Sequence, residues 1–466
     1  MDEADGGPMD HDEISRRAQE RAAHTAPRAR HRVPAPDSSL LPPGPRLPRW
    51  AQSVGALRFR HRFIPWVQRR HGDVFTLRLL PGNRPIVYFC RPDAIHDIFA
   101  GDPEVFHAGE ANSILGPVMG EHSLLLVDGA EHRRARTLLV PAFSSRALRG
   151  YRDLVEGVAK TEVASWQPEV PFRSLDRMND LTLQVIMRVV FGVTDEQRLA
   201  RLRPLVRAVV DVNPAVLLGW ALPPLRRVGM WRRAAESVRE LDAEIYGLVA
   251  DARTAPDLET RTDVLSRLIR ADAEGDRLSD AELRDQLVTL LLAGHETTAT
   301  ALAWALQEIG RDDHQLALAR RAASAGDDDW LEAILKEAMR LHPVIPMVVR
   351  VLQRPARVGG IDLPAGTTVA ASILLAHASP QNHPDPEAFR PERFIGSAPP
   401  ANTWLPFGGG VRRCIGAGFS LMEGVVVLRE VLTVNEVHAV ADEKPKVRNI
   451  TSVPRSGARV VVRSSP

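Results

Sequence analysis

Cysteine is scarce in this chain of 466 residues: Cys90 and Cys414 are the only 2. Two thiols cannot build a disulfide framework or a four-thiolate zinc site, and they suit a reducing compartment. Long apolar runs are missing as well, so nothing reads as a signal-peptide core or a transmembrane anchor. Arg16-Arg17 could open a twin-arginine signal, but the residues after it, Ala-Gln-Glu-Arg, are polar where that signal turns apolar. A cytoplasmic location is expected. Excess charge is lacking too: 60 Lys and Arg stand against 58 Asp and Glu, for a net charge of +2. That balance gives no global field for nucleic acid or membrane, so any electrostatic recognition must be local.

What is present suits a folded enzyme-sized chain. Hydrophobic residues make up 44% and charged residues 25%, enough to bury a large core. Residues 1–40 read as a disordered polar and basic tail. Leu41-Pro42-Pro43-Gly44-Pro45 is a stiff, turn-rich segment expected to act as a hinge. Val74 to Leu79 and Ile86 to Phe89, around Pro81-Gly82-Asn83, read as a β-hairpin. From about Ala94 to residue 340 the apolar spacing is helical. Short β signals return at Val348–Val351, Ile361–Gly366 and Ala458–Val462, which predicts a minor sheet drawn from distant parts of the chain.

The best-defined helix begins at Ser279-Asp280-Ala281-Glu282, a capping box, and runs to about Ile309. Its flanks, Leu287 to Leu292 and Ala299 to Leu306, are apolar almost all round, as suits a central buried helix. Its middle is nevertheless interrupted by His295, Glu296, Thr297 and Thr298. Burying such groups costs several kcal/mol unless partners satisfy them. A polar helix–helix network would account for them; so would a chemical site. Gly294 favours the site, because it weakens the helix where something could approach its backbone.

The second constellation is Phe407-Gly408-Gly409-Gly410-Val411-Arg412-Arg413-Cys414-Ile415-Gly416, followed by the apolar run Phe419–Leu432. This places a thiol at a helix N-terminus, where peptide N–H groups, the helix dipole and two arginines favour the thiolate. Such a thiolate can ligate iron. Glycines let backbone pass close to a flat ligand, and Phe407 can shield the sulfur. The rival phosphate-loop reading fails because no Lys-Ser/Thr follows the glycines. Cys90, in an apolar strand, reads as a buried bystander.

This segment resembles the haem-binding signature of the cytochromes P450, Phe-x-x-Gly-x-Arg-x-Cys-x-Gly, at every fixed position. Three further segments resemble that family in the same order, and the likeness extends over about residues 40 to 463, closest to soluble actinobacterial members. Ala293-Gly294-His295-Glu296-Thr297-Thr298 is similar to the oxygen-activation motif, with Glu296 and Thr297 as its acid–alcohol pair. Lys336-Glu337-Ala338-Met339-Arg340 is similar to the Glu-x-x-Arg helix, and Arg393 in Phe389–Phe394 to its third member. Asp128–Arg136 is similar to the helix on the proximal side.

The resemblance implies a mainly α, triangular fold with a small β-rich region, forming one catalytic domain over residues 41–466. Haem b (iron protoporphyrin IX) would lie between the central helix and the Cys414 loop, with Cys414 as iron ligand and Phe407 and Gly416 beside it. His132, Arg136, Arg350 and Arg412 would bind its carboxylates. Glu337, Arg340 and Arg393 would be structural and hold the Cys414 loop. Thr297 would hold oxygen and a water while Glu296 relays protons. The implied activity is a monooxygenase reaction that hydroxylates or epoxidises an apolar small molecule with O2. A ferredoxin and ferredoxin reductase would supply electrons, and Arg133, Arg134 and Arg413 would attract the acidic partner. Pocket walls are expected from Ala293, Val344, Val348, the segment Phe106–Leu126 and residues 200 to 235. Two other readings stay open: a haem-thiolate ligand sensor, and a peroxide-using or isomerising enzyme.

Overall fold

The computed structural model describes residues 33–80, 84–210, 229–271, 276–448 and 450–464. Most of the expected tail, the Pro81-Gly82-Asn83 turn and residues 211–228 of the expected pocket wall lie outside them. The chain divides into two compact units, one with Asn112–Tyr151 and Leu183–Gly294, the other with His31–Ala111, Arg152–Thr182 and His295–Pro466. The division falls inside the long central helix, Asp280–Ile309. Among the described residues no helix is long and apolar enough to cross a membrane.

The first unit is helical. Its part of the central helix starts at the expected capping box: the Ser279 N–H donates to Glu282 Oε2 (2.8 Å), and the Glu282 N–H donates to Ser279 Oγ (3.3 Å). One turn on, Arg284 is fully buried. It donates to Asp242 of the helix Gly229–Thr254 (2.7 Å), to Asp285 (3.1 Å) and to the carbonyls of Val118 and Met119 (3.1 and 3.2 Å). The guanidinium thus joins three segments at one point. Gly294 has a packing reason of its own: a Cβ there would come within 2.8 Å of Ile186 Cδ1. What approaches this backbone is the protein's own side chain.

The second unit holds every described β-ladder. The largest sheet orders its strands as Val74–Arg78, Pro85–Phe89, Thr368–Ser372, Met347–Leu352 and Phe106–His107. The first pair is the expected hairpin, in register Val74↔Phe89 through Arg78↔Pro85. Pro85–Phe89 and Thr368–Ser372 are parallel and the other pairs antiparallel. Period-2 geometry sorts alternate residues to opposite faces: Val87, Phe89, Val369 and Ala371 pack into one cluster, Tyr88 and Ala370 into another. With both faces covered, these strands read as nearly continuous apolar runs.

Two expectations need correction. Arg459–Ser464 belongs to a separate three-stranded sheet with Phe172–Arg173 and Asn435–Ala439, and Ile361–Leu363 forms its own hairpin with Ala356–Val358, so the β structure is not one minor sheet. The Leu41–Pro45 segment is not a hinge. Thr76 donates its N–H to Pro43 O (3.1 Å) and its hydroxyl to Pro42 O (2.6 Å). A Cβ on Gly44 would lie 1.9 Å from Thr76 O. Prolines that read as a spacer in isolation serve here as an edge pinned to a strand.

Replacing Arg284 by Met leaves Asp242 and Asp285 buried without their countercharge. The expected loss is about 3–5 kcal/mol of unfolding free energy in urea titration; a loss under about 1 kcal/mol would refute this role for the cluster.

Candidate functional site

The site is built in the second unit from two helices and the loop before one of them. Cys414 lies three residues ahead of the helix Ala417–Val434, with Gly416 at its N-cap position. Its N–H donates to Phe407 O (2.9 Å), which closes the glycine loop on itself. Gly408 and Gly410 have φ of 63° and 64°, a region that disfavours side chains. A Cβ on Gly410 would also lie 1.9 Å from the carbonyl oxygen of Phe99. The loop is therefore pressed against the helix Pro92–Ala100. Beyond the loop, a Cβ on Gly416 would meet no atom within 4 Å. The Cys414 thiol is exposed, whereas Cys90 is buried among Gln68 and Asp73 and its thiol is pushed up to about 12, chiefly by burial.

The polar interruption of the central helix sits next to this element. The Thr298 and Ser420 hydroxyls share a hydrogen bond of 3.0 Å, which ties the middle of the central helix to the first turns of the Cys414 helix. Ala293 and Thr297, four residues apart on one face, are less buried than the residues from Thr298 to Ile309. His295 is buried, and its carbonyl accepts from the Thr182 hydroxyl (3.1 Å). Glu296 accepts from the Thr451 hydroxyl (3.4 Å) and faces Arg448 at 3.6 Å. Burial pushes the Glu296 carboxyl up to about 7, against the opposing effect of the Thr451 bond. Arg448 is 30% exposed, so water screens its charge and burial decides the direction. On the Cys414 helix, Glu423 is fully buried, and burial pushes its carboxyl well above the usual range.

Glu337, Arg340 and Arg393 come together as expected. Arg340 makes a two-pronged pair with Glu337 (2.7 and 2.9 Å), and Arg393 Nε and the Arg390 N–H donate to Glu337 Oε1 (3.0 and 2.8 Å). The route from this cluster to the loop runs through a residue that sequence reasoning missed. His377 Nδ1 lies 3.2 Å from Arg340 O, and His377 Nε2 accepts the Leu405 N–H (2.8 Å). His383 Nε2 contacts Thr403 O at 2.9 Å. Burial holds the His377 ring neutral down to about 3, helped by the His383 and Arg340 charges. A neutral imidazole can donate at one nitrogen and accept at the other, as this position demands. Trp404 then stacks edge-on against Phe407, with ring centroids 5.8 Å apart.

The remaining expected residues are placed as follows. Arg350 is buried on the strand Met347–Leu352, and Arg412 lies half-buried in the loop. Val348 is half-buried and stands 3.9 Å from where a Gly408 Cβ would be; Val344 accepts the Ser452 N–H (2.8 Å). His132 and Arg136 share a face of the helix Gly129–Leu139 in the other unit, His132 buried and Arg136 half-buried. Arg134 corrects an expectation: it is paired with Asp276 (2.5 and 2.7 Å) and with Glu282, so it is not a cation offered to a partner. Arg133 and Arg413 are exposed.

A thiol on a tight glycine loop, tied through Thr298 to a helix carrying a near-neutral carboxyl, matches one family over nearly its whole length. The cytochrome P450 family profile covers residues 42–461. The chain belongs to the cytochrome P450 family. It is 51% identical over 424 residues to a Mycobacterium tuberculosis protein named "Putative cytochrome P450 135A1", covering 90% of this chain and 94% of that one. It is 44% identical over 434 residues to the Mycobacterium bovis protein named "Putative cytochrome P450 135B1", covering 91% and 92%. Among solved structures, retinoic acid bound cyanobacterial CYP120A1 superposes with a TM-score of 0.78 at 24% identity, covering 91% of this chain and all of that one; this likeness concerns the fold. Membership implies a haem cofactor and haem-thiolate monooxygenase chemistry.

The donor set of this P450 fits that cofactor. Among the described residues no three His, Cys, Asp or Glu side chains gather as a metal site. A lone thiolate suits a metal that arrives with four ring nitrogens of its own. The open side of Gly416 suits a flat ring.

His377→Phe should cost about 1–3 kcal/mol, because the Leu405 N–H loses its acceptor. Ordinary histidine titrates near 6.5 and His377 near 3, so its contribution is complete above about 6.5 and is lost as pH falls toward 3. Urea midpoints measured across that interval should therefore decline less steeply in His377→Phe than in the parent. Parallel declines would contradict the neutral-ring assignment.

Proposed function

We propose that the protein inserts one oxygen atom from O2 into an apolar organic substrate, with electrons delivered by a separate ferredoxin-type donor. One observation carries this reading: a buried carboxyl poised near pH 7, Glu296, stands beside Thr297 on the helix that is bonded to the Cys414 helix. Cys414 would hold the iron of haem b. Arg350 and Arg412 would bind its carboxylates, and His132 and Arg136 keep the same role by family likeness. When bound, the haem supplies the electron transfer and O–O cleavage.

The chain's own residues would manage protons and water. At pH 7 Glu296 is divided between its charged and neutral forms, which lets it release and regain a proton at little cost. Arg448, partly exposed, and Thr451 are the groups beside its carboxyl, and a proton would return by way of Arg448's solvent-facing side. The Thr297 hydroxyl donates and accepts, so it can pass that proton inward while holding a water in line. Val344 and Val348 would offer small apolar walls to a substrate, a role Ala293 keeps by family likeness. Arg413, exposed next to the thiol, is a cation suited to an acidic electron donor.

Cys414→Ser should abolish the red-shifted Soret band of the reduced, carbon-monoxide-treated protein, a band its parent should show. Folded, haem-supplied parent protein without that band would overturn the reading. Thr297→Ala should keep the band yet divert electrons to peroxide or water, lowering oxygenated product roughly 10²-fold or more. Glu296→Gln should remove the fall in turnover above about pH 7 that the parent is expected to show; an unchanged pH profile would exclude Glu296 as the donor.

A further inference from the structure

The helices Arg49–Arg58 and Arg60–His71 carry a surface that the chemistry above does not use. A helix on a water-soluble protein normally turns its apolar stripe inward. Arg49–Arg58 does the reverse. It buries Gln52, Ser53, Gly55 and Ala56. Gln52 donates to the carbonyls of Pro45 and Leu47 and accepts the Arg78 N–H; Ser53 accepts the Leu80 N–H. Its opposite stripe, Trp50, Val54 and Leu57, points outward at helical spacing, with Trp50 64% exposed. Leu40, Leu47 and Phe59 extend this exposed surface, and Phe63 and Trp66 of the next helix line an open groove of about 730 Å³ beside it.

The stretch that carries the patch is basic, with Asp37 and Asp73 at its two ends. Residues 38 to 72 contain seven arginines and no aspartate or glutamate, although the whole chain carries only +2; without these seven it would be −5. Arg46, Arg58, Arg62, Arg69 and Arg70 are exposed. Arg58 and Arg70 lie over the rings of Phe59 and Trp66, 5.5 and 4.6 Å from their centroids. Outward Trp, Leu and Phe ringed by arginines is the composition of a helix that lies in a membrane interface. Arginine stems can lie along acyl chains while their heads meet phosphate. A second copy of the chain is a poor occupant, since a self-complementary contact would set the two arginine clusters against each other.

We propose that this face docks the protein peripherally on an anionic phospholipid bilayer. The test uses the full-length haem-loaded protein, cosedimented with vesicles of phosphatidylglycerol in phosphatidylcholine and of phosphatidylcholine alone, at low and high salt. Binding should favour the anionic vesicles and weaken with salt. It should fall roughly tenfold or more in Trp50→Asp/Val54→Asp and in Arg62→Glu/Arg69→Glu. Both pairs are chosen at exposed positions, and an unchanged carbon-monoxide band would show that each variant is folded. The proposal is overturned if the parent does not bind, if it binds neutral and anionic vesicles equally, if both variants bind like the parent, or if the patch instead mediates a lipid-free dimer that the variants dissolve.

Discussion

A carboxylate removed completely from water must be neutralised where it lies, and Glu337 sets that requirement for the whole Cys414 side of the molecule. Its donors come from Arg340 one turn along its own helix and from Arg390 and Arg393 some fifty residues later. Arg340 then has donors left over. It spends them on the carbonyls of His377, Pro386 and Ala388, which fixes irregular chain that has no ladder of its own. His377 carries the constraint to Leu405, two residues before Phe407. The thiol loop is thus tied to the Glu337 cluster through protein bonds.

The central helix solves the opposite problem. His295, Glu296, Thr297 and Thr298 interrupt the apolar middle of that helix, and the bonds made there have positional consequences. Thr298 ties the helix to Ser420, while Glu296 is left with one long hydrogen bond and a screened cation. Glu337 is met by three donors from Arg340 and Arg393 and by the Arg390 N–H. Under-pairing Glu296 in a buried setting is what brings its carboxyl near neutrality, where proton exchange is cheapest. The same residue type therefore serves as a girder in one place and as a candidate relay in the other, and the number of donors decides which.

Much of this was legible in the linear chain. The central helix followed from its capping box and the apolar stretches Leu287–Leu292 and Ala299–Leu306, and the thiol loop from glycines, arginines and a cysteine ahead of an apolar run. The Glu337–Arg340 pair was legible only through the family resemblance, since one-turn spacing of such residues is common on any amphipathic helix. Less was legible where partners are remote. His377 and His383 carry no local signal, because a histidine that bridges two backbone groups looks like any other histidine in sequence. Arg134 read as an available cation until Asp276 and Glu282 were found beside it. The Pro-rich segment at 41–45 read as a hinge because its partner, Thr76, lies more than thirty residues away.

By itself the sequence determined what repeats locally: helix positions, the hairpin and a thiol ahead of an apolar helix, while the acid–alcohol reading of Glu296 and Thr297 rests on family resemblance. Periodicity and helix caps are set by neighbours three or four residues apart, so they survive in one dimension. Only the tertiary structure decided the order of strands in the sheets, which glycines face protein and which face open space, and which arginines are already paired. It also decided that Glu296 sits near neutrality while Glu337 is surrounded by donors. Those properties depend on desolvation and on donors supplied by distant segments, and neither exists until the chain has folded.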